Sequence, residues 1–168
     1  MTKHMTTKIR PAEDTDLEAL CDLYFEFHEY HAIYVPYYVR SLETVTANER
    51  LELIQKVKEI IHGIDSTILV ADLAGQVVGL AEIYFKRPDP ANRWINPAPY
   101  AHLQSLVVSK PQRHKGIGSQ LLQAAEVWSH QQGAVDLTLD VWEYPAGPLE
   151  FYQRAGYRTY RRSLIKKI

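Results

Sequence analysis

The chain has 168 residues, 46% of them apolar, a formal net charge of −1 and one cysteine, Cys21. That length and apolar content suit one domain with a sizeable core. The balanced charge argues against a general nucleic-acid or membrane-surface binder, and a lone cysteine excludes an internal disulfide framework and fits a reducing compartment. Met1 to Arg10 is polar and no apolar run approaches the roughly 20 residues needed to span a bilayer, so a cytoplasmic protein is expected, with a domain over 7–168 behind a polar tail, 1–6.

Lys8-Ile9-Arg10 reads as a short strand stopped by Pro11. Asp14 or Thr15 is placed to cap a helix in which Leu17, Leu20, Cys21, Tyr24, Phe27, His28 and His31 recur at steps of three and four. His28 and His31 lie one turn apart, but no third ligand follows at a convincing spacing. A pocket wall or a packed helix end is therefore expected of them, and no metal site. Tyr30 to Arg40 is dense in Tyr and Pro; Tyr34, Tyr37 and Tyr38 offer stacking surfaces for a ligand or an aromatic plug under a loop. A second amphipathic helix runs from Asn48 to His62 with Leu51, Ile54, Val57, Ile61 and Ile64 on one stripe, and Gly63 stops it. Thr67–Ala71, the turn Ala74-Gly75 and Gln76–Phe85 form a hairpin, after which the prolines between Lys86 and Pro99 impose a surface loop.

The next stretch of chain is the most informative. Tyr100 to Val108 is a strand that Lys110-Pro111 ends, and from Ile117 the residues Leu121, Ala124, Ala125 and Trp128 share a helical face as far as about Gln131. Between them, Arg113-His114-Lys115-Gly116-Ile117-Gly118 is a cationic, glycine-punctuated turn at a helix start, where free N–H groups and the helix dipole favour a phosphate or pyrophosphate. Glycine at 116 and 118 keeps side chains off those amides and permits φ > 0. No Lys-Ser/Thr pair follows, as a P-loop requires, and the third glycine of the dinucleotide fingerprint is missing. Val135, Leu137, Leu139 and Val141 then alternate with polar residues as a strand, Pro148 to Gly156 bounds a short helix, and Tyr157 to Ile168, with its row of Arg and Lys, reads as an edge strand closing the sheet.

Arg-x-x-Gly-x-Gly at 113–118, with Phe151-Tyr152-Gln153-Arg154-Ala155-Gly156-Tyr157 downstream, resembles the GNAT superfamily of acyl-CoA-dependent N-acyltransferases. The resemblance implies an α/β (α+β type) fold. Its central sheet is mixed and mostly antiparallel, with about four helices on both faces and parallel strands 4 and 5 splayed to admit the cofactor. It also implies a single N-acetyltransferase domain and acetyl-CoA as co-substrate, with Leu106, Val107, Val108, Arg113, His114, Lys115, Gly116, Ile117, Gly118 and Ser119 at the cofactor. Tyr152 aligns with the family's general acid, and a phenol with pKa near 10 stays protonated at neutral pH. Glu82 is the first choice for the base, with Asp140, Glu143 and His102 as competitors. His28, Tyr34, Tyr37, Tyr38 and Gln104 are expected to shape the acceptor pocket.

The expected activity is acetyl transfer to a primary amine of a small molecule by direct attack in a ternary complex. A protein N-terminus or lysine is the alternative acceptor, and a non-catalytic acyl-CoA sensor is the alternative of another class. No nucleic-acid or membrane partner is expected, and a homodimer is compatible with such a domain. The chain departs from the family at Pro145 and Pro148, where an Asn and an Ala are frequent, and at Gln104, where related sequences often carry an acid. The prolines imply that a side-chain amide to the cofactor is lost, and they are the one feature favouring the sensor.

Overall fold

The computed structural model describes residues 6–145 and 147–166. In chain order the elements are β1 (Thr7–Pro11), a 3-10 turn (Asp14–Asp16), α1 (Leu17–Tyr34), α2 (Ala47–Ile61), β2 (Ser66–Leu73), β3 (Gln76–Lys86), β4 (Tyr100–Val108), a second 3-10 turn (Lys110–Gln112), α3 (Ile117–Gln131), β5 (Asp136–Leu139) and α4 (Leu149–Arg154). The strands form one sheet in the order β1-β2-β3-β4-β5, antiparallel throughout except for the parallel pair β4 and β5. Pro11 is the last residue of β1 rather than the first beyond it, which an edge strand tolerates.

The period-two alternation of the central strands sorts their side chains between two cores. Ile68, Val70, Leu80 and Val107 meet Leu17, Leu20 and Leu23 of α1 and Val57 of α2 on one face. Leu69, Ala71, Ala81, Ile83 and Leu103 meet Ile117, Leu121, Leu122 and Ala125 of α3, together with Tyr152 of α4, on the other. At Gly79 a Cβ would come within 2.8 Å of the Val107 carbonyl and 3.1 Å of Leu121, so the absence of a side chain lets α3 sit against the sheet. The β2–β3 hairpin closes through Ala74 (φ 55°) and Gly75 (φ 88°), the paired positive φ of a type I′ turn.

Three expectations change. Neither Asp14 nor Thr15 caps α1: Asp16 accepts the Glu13 N–H at 2.8 Å, and Asp14 instead meets His62 across to the end of α2. Leu51 and Ile64 leave the stripe of α2, which buries Leu53, Ile54, Val57, Ile60 and Ile61, because its packed face is centred on Val57. Residues 157–166 form no strand, so β5 is the sheet's last strand; each residue from Arg158 to Lys166 is exposed and none has a hydrogen bond to another described residue. The remainder of that expected strand, 167–168, lies outside the described residues.

Candidate functional site

Pairing between β4 and β5 runs from Tyr100↔Asp136 to Leu103↔Leu139 and stops. There, Ile83 pairs with Leu103 while Glu82 pairs with Ser105, so Gln104 is an extra residue bulged out of β4. A bulge bends its strand and re-aims the residues beyond it. Past Gln104 the two strands separate, and Leu106, Val107 and Val108 face Asp140, Val141 and Trp142 across a cleft. Phe27, Tyr30 and His31 of α1 and Tyr152 of α4 complete its walls.

Which backbone groups enter that gap is set by the ladder. Ser109 N–H donates to the Val78 carbonyl, so by alternation Val107 also points to β3, while Leu106 and Val108 turn their N–H and C=O groups toward β5. Of the strand amides expected to serve the site, Val107's is therefore engaged within the sheet.

At the open end of the cleft, the N–H groups of His114 to Ser119 have no acceptor among the described residues, and Gln120 is the first to bond back, to Gly116 at 3.2 Å. Positive φ at His114 (63°) and Gly116 (80°), alternating with ordinary conformations, curls such a run into an anion-binding concavity at the start of α3. A Cβ on Gly116 would meet nothing within 4 Å, so glycine is required there by φ and not by crowding. Gly118 lies inside α3 and needs no unusual φ, contrary to the expectation for it; its built Cβ would touch the Phe151 ring at 3.6 Å.

Arg113 does not point into this concavity. Its Nε donates to the Val108 carbonyl (2.9 Å), its Nη2 to Glu26 Oε1 (2.8 Å), and its guanidinium lies 4.7 Å from the centre of the Tyr30 ring. Lys115 Nζ reaches Gln112 (2.9 Å).

Tyr152 is only 9% exposed; burial pushes its phenol up to about 12, and the hydroxyl has no hydrogen-bond partner among the described residues. Tyr144 also lines the cleft, with a buried hydroxyl that has no partner among the described residues; the Tyr30 hydroxyl is close by but not in hydrogen-bonding geometry. An unsatisfied buried hydroxyl costs about 1–3 kcal/mol, so a ligand that accepts from Tyr144 recovers it. No periodicity marks Tyr144 in the sequence, and only its position in the bend after β5 brings it to the cleft.

Glu82 sits under α1 at 6% exposure, outside the cleft lining. Its carboxylate accepts from Tyr24 (2.8 Å), Tyr84 (2.7 Å) and Ser105 (3.0 Å), and burial together with that carboxylate raises the pKa of both tyrosines. Asp140 does line the cleft, with His102 Nε2 4.0 Å from its carboxylate. Glu143 is exposed in the bend beyond.

His28 and His31 engage backbone carbonyls, Arg40 and Phe27 respectively, at 2.8 Å. Among the described residues no three His, Cys, Asp or Glu side chains are grouped to hold a metal ion. Tyr34 stacks on Tyr144 and Tyr38 on Trp142, both at 4.9 Å, whereas Tyr37 is 69% exposed and touches the group only through Tyr38. Tyr34 and Tyr38 are thus joined to the segment after β5 at the edge of the cleft without entering its lining, and Gln104 is exposed at the bulge.

The chain is 26% identical over 149 residues, 89% of its length and 88% of the relative's, to an uncharacterized N-acetyltransferase, YhfO, of Bacillus subtilis (strain 168). Its fold matches a single-site mutant of the BH1408 protein from Bacillus halodurans with a TM-score of 0.84, at 21% identity over 96% of this chain and 99% of that one. It also matches the aminoglycoside N-acetyltransferase AAC(6′)-Iy in complex with CoA, with a TM-score of 0.71 at 18% identity over 100% and 98% of the two chains. The acetyltransferase (GNAT) family model aligns with residues 17–157, from the first residue of α1 through the splayed strands and the amide row to the turn after α4, and the chain belongs to that family.

Proposed function

We propose that the protein transfers an acetyl group from acetyl-CoA to the primary amine of a small molecule, by direct attack in a ternary complex. The observation that carries this reading is the row of unengaged amides from His114 to Ser119, opening beside the gap between two parallel strands. The row suits a pyrophosphate; the gap, with the outward polar edge of Leu106, the Val108 N–H and the Tyr144 hydroxyl that has no partner among the described residues, suits an extended arm bearing amides.

Acetyl-CoA supplies the acyl group as a thioester: the amine nitrogen bonds to the carbonyl carbon, the C–S bond breaks, and its electron pair leaves on sulfur. The chain's own residues do the rest. The Leu106 or Val108 N–H donates to the oxygen on which charge develops. Tyr152, held protonated by burial, gives its proton to the departing sulfur. The amine's proton passes to Glu82 through intervening water, since the carboxylate, capped by the Tyr24, Tyr84 and Ser105 hydroxyls, stands outside the cleft lining. Asp140, in the cleft wall, is the second reading for this step. Of the residues expected at the acceptor, Gln104 lines the cleft and Tyr34 and Tyr38 adjoin it through Tyr144 and Trp142, and these are the proposed contacts; His28 and Tyr37 stand outside the lining.

A small amine is favoured as acceptor because aromatic stacks narrow the mouth of the cleft, and the aminoglycoside acetyltransferase is among proteins of the same fold. Peptide N-termini and lysine are the runner-up, and the presence of Tyr152 in the cleft speaks against a non-catalytic sensor. The test is calorimetric titration of acetyl-CoA into the wild-type protein and Gly116→Asp, followed by CoA release over a panel of small amines and peptides. Wild type should bind in the micromolar range, about −8 kcal/mol, and the folded variant should not bind, through αL strain and added negative charge. Undiminished affinity in Gly116→Asp overturns the loop assignment. Binding without CoA release from any amine or peptide overturns the enzymatic one.

A further inference from the structure

By type and place, the first cation of a glycine-punctuated anion loop reads as the ligand's counter-ion, but the fold commits Arg113 elsewhere. Two of its five N–H donors are engaged, one on the Val108 carbonyl that faces the strand gap and one on Glu26 Oε1, and its charge rests between that carboxylate and the Tyr30 ring. The same Glu26 oxygen accepts the Lys110 N–H at 2.7 Å. One carboxylate on α1 therefore holds both the turn after β4 and the arginine that pins the end of β4. The side chains are 27% and 35% exposed, so the bonds are charge-assisted and only partly screened.

We infer that Glu26 and Arg113 form a strut that sets the open end of β4 and the start of the amide row against α1. Both are positioning residues for acyl transfer, and Arg113 is not the counter-ion of the bound phosphate. The inference rests on the reading of 114–119 as the acetyl-CoA site. If the strut aims the amides of Val108 and of the loop, its loss misplaces the groups that meet the thioester and the pyrophosphate without removing any of them.

Charge-preserving and charge-freeing variants separate this from the counter-ion reading. Lysine keeps the charge of Arg113 but lacks the fork that spans two acceptors, so Arg113→Lys should weaken acetyl-CoA binding and lower kcat about as much as Arg113→Gln does. The expected loss in each is roughly tenfold, the scale of one charge-assisted hydrogen bond. Glu26→Gln, nearly isosteric, should move both quantities in the same direction, and the Glu26→Gln/Arg113→Gln double variant should be little worse than either single.

A counter-ion would behave oppositely: Arg113→Lys would keep its affinity, and Glu26→Gln, by freeing the cation, would leave acetyl-CoA binding unchanged or tighter. Either result overturns the strut, as does a fall in melting temperature with unchanged affinity and kcat. Failure of the wild-type protein to bind acetyl-CoA overturns instead the reading of the loop. Wild-type binding with Glu26→Gln undiminished overturns the strut alone.

Discussion

Tyr152 is where residue chemistry makes its sharpest demand. Its ring is packed edge-on against Phe151 and Tyr157, with centroids 5.1 and 5.8 Å away, and its hydroxyl makes no hydrogen bond to another described residue. Tyr152→Phe should therefore leave melting and acetyl-CoA affinity nearly unchanged while kcat falls by about 10² to 10⁴, the usual contribution of a positioned acid. A loss below about threefold in steady-state assays would reduce Tyr152 to packing. Because burial holds the phenol at about 12, an alkaline fall in rate near pH 9 would belong to another group. The role proposed for Tyr152 could be read along the chain because its neighbours form a local motif. The pairing of Arg113 could not: Glu26 lies 87 residues away, and no spacing rule connects them.

At the scale of elements, the proposed acceptor wall depends on α1 and the turn after it meeting the segment after β5. Tyr38 reaches the cleft by stacking on Trp142, whereas Tyr37 stands largely in solvent. Tyr38→Ala should raise the amine KM several-fold with acetyl-CoA affinity unchanged, the signature of lost uniform binding to one substrate, and Tyr37→Ala should do markedly less. If acetyl-CoA binding weakens in parallel with the amine KM, the stack is structural and does not select the acceptor. The sequence indicated aromatic density here but not which ring would matter, since period and composition are silent about partners across the sheet.

For the whole molecule, a link across separate elements of its first half is Arg10, which holds Asp16 at 2.7 Å and Asp72 at 3.1 Å and so ties β1 to the start of α1 and to β2. The hydrogen bond from Arg10 lowers the pKa of Asp16, outweighing desolvation. A carboxylate depressed in the folded state contributes stability that is fully present above its unfolded pKa, about 3.9, and is lost as pH falls through the lower folded value. Asp16→Asn should thus cost on the order of 3 kcal/mol at neutral pH, leaving Arg10 with one carboxylate. The variant's melting temperature should also fall less steeply than that of wild type below pH 4. Parallel acid limbs in calorimetry would show that the pair does not govern acid stability.

The sequence by itself determined the elements whose causes are local. The Ala74-Gly75 hairpin, the glycine-marked start of α3 and the alternation that sorts β2 and β3 between two cores all arise from a few neighbouring residues. The tertiary structure alone decided what depends on meetings between distant segments: the Gln104 bulge at which β4 leaves β5, the diversion of Arg113 to Glu26, and the burial of Glu82 beneath three hydroxyls. It also left 157–166 outside the sheet, although the composition there suited an edge strand. A strand requires a partner edge as well as a propensity, and only the assembled sheet settles whether one is offered.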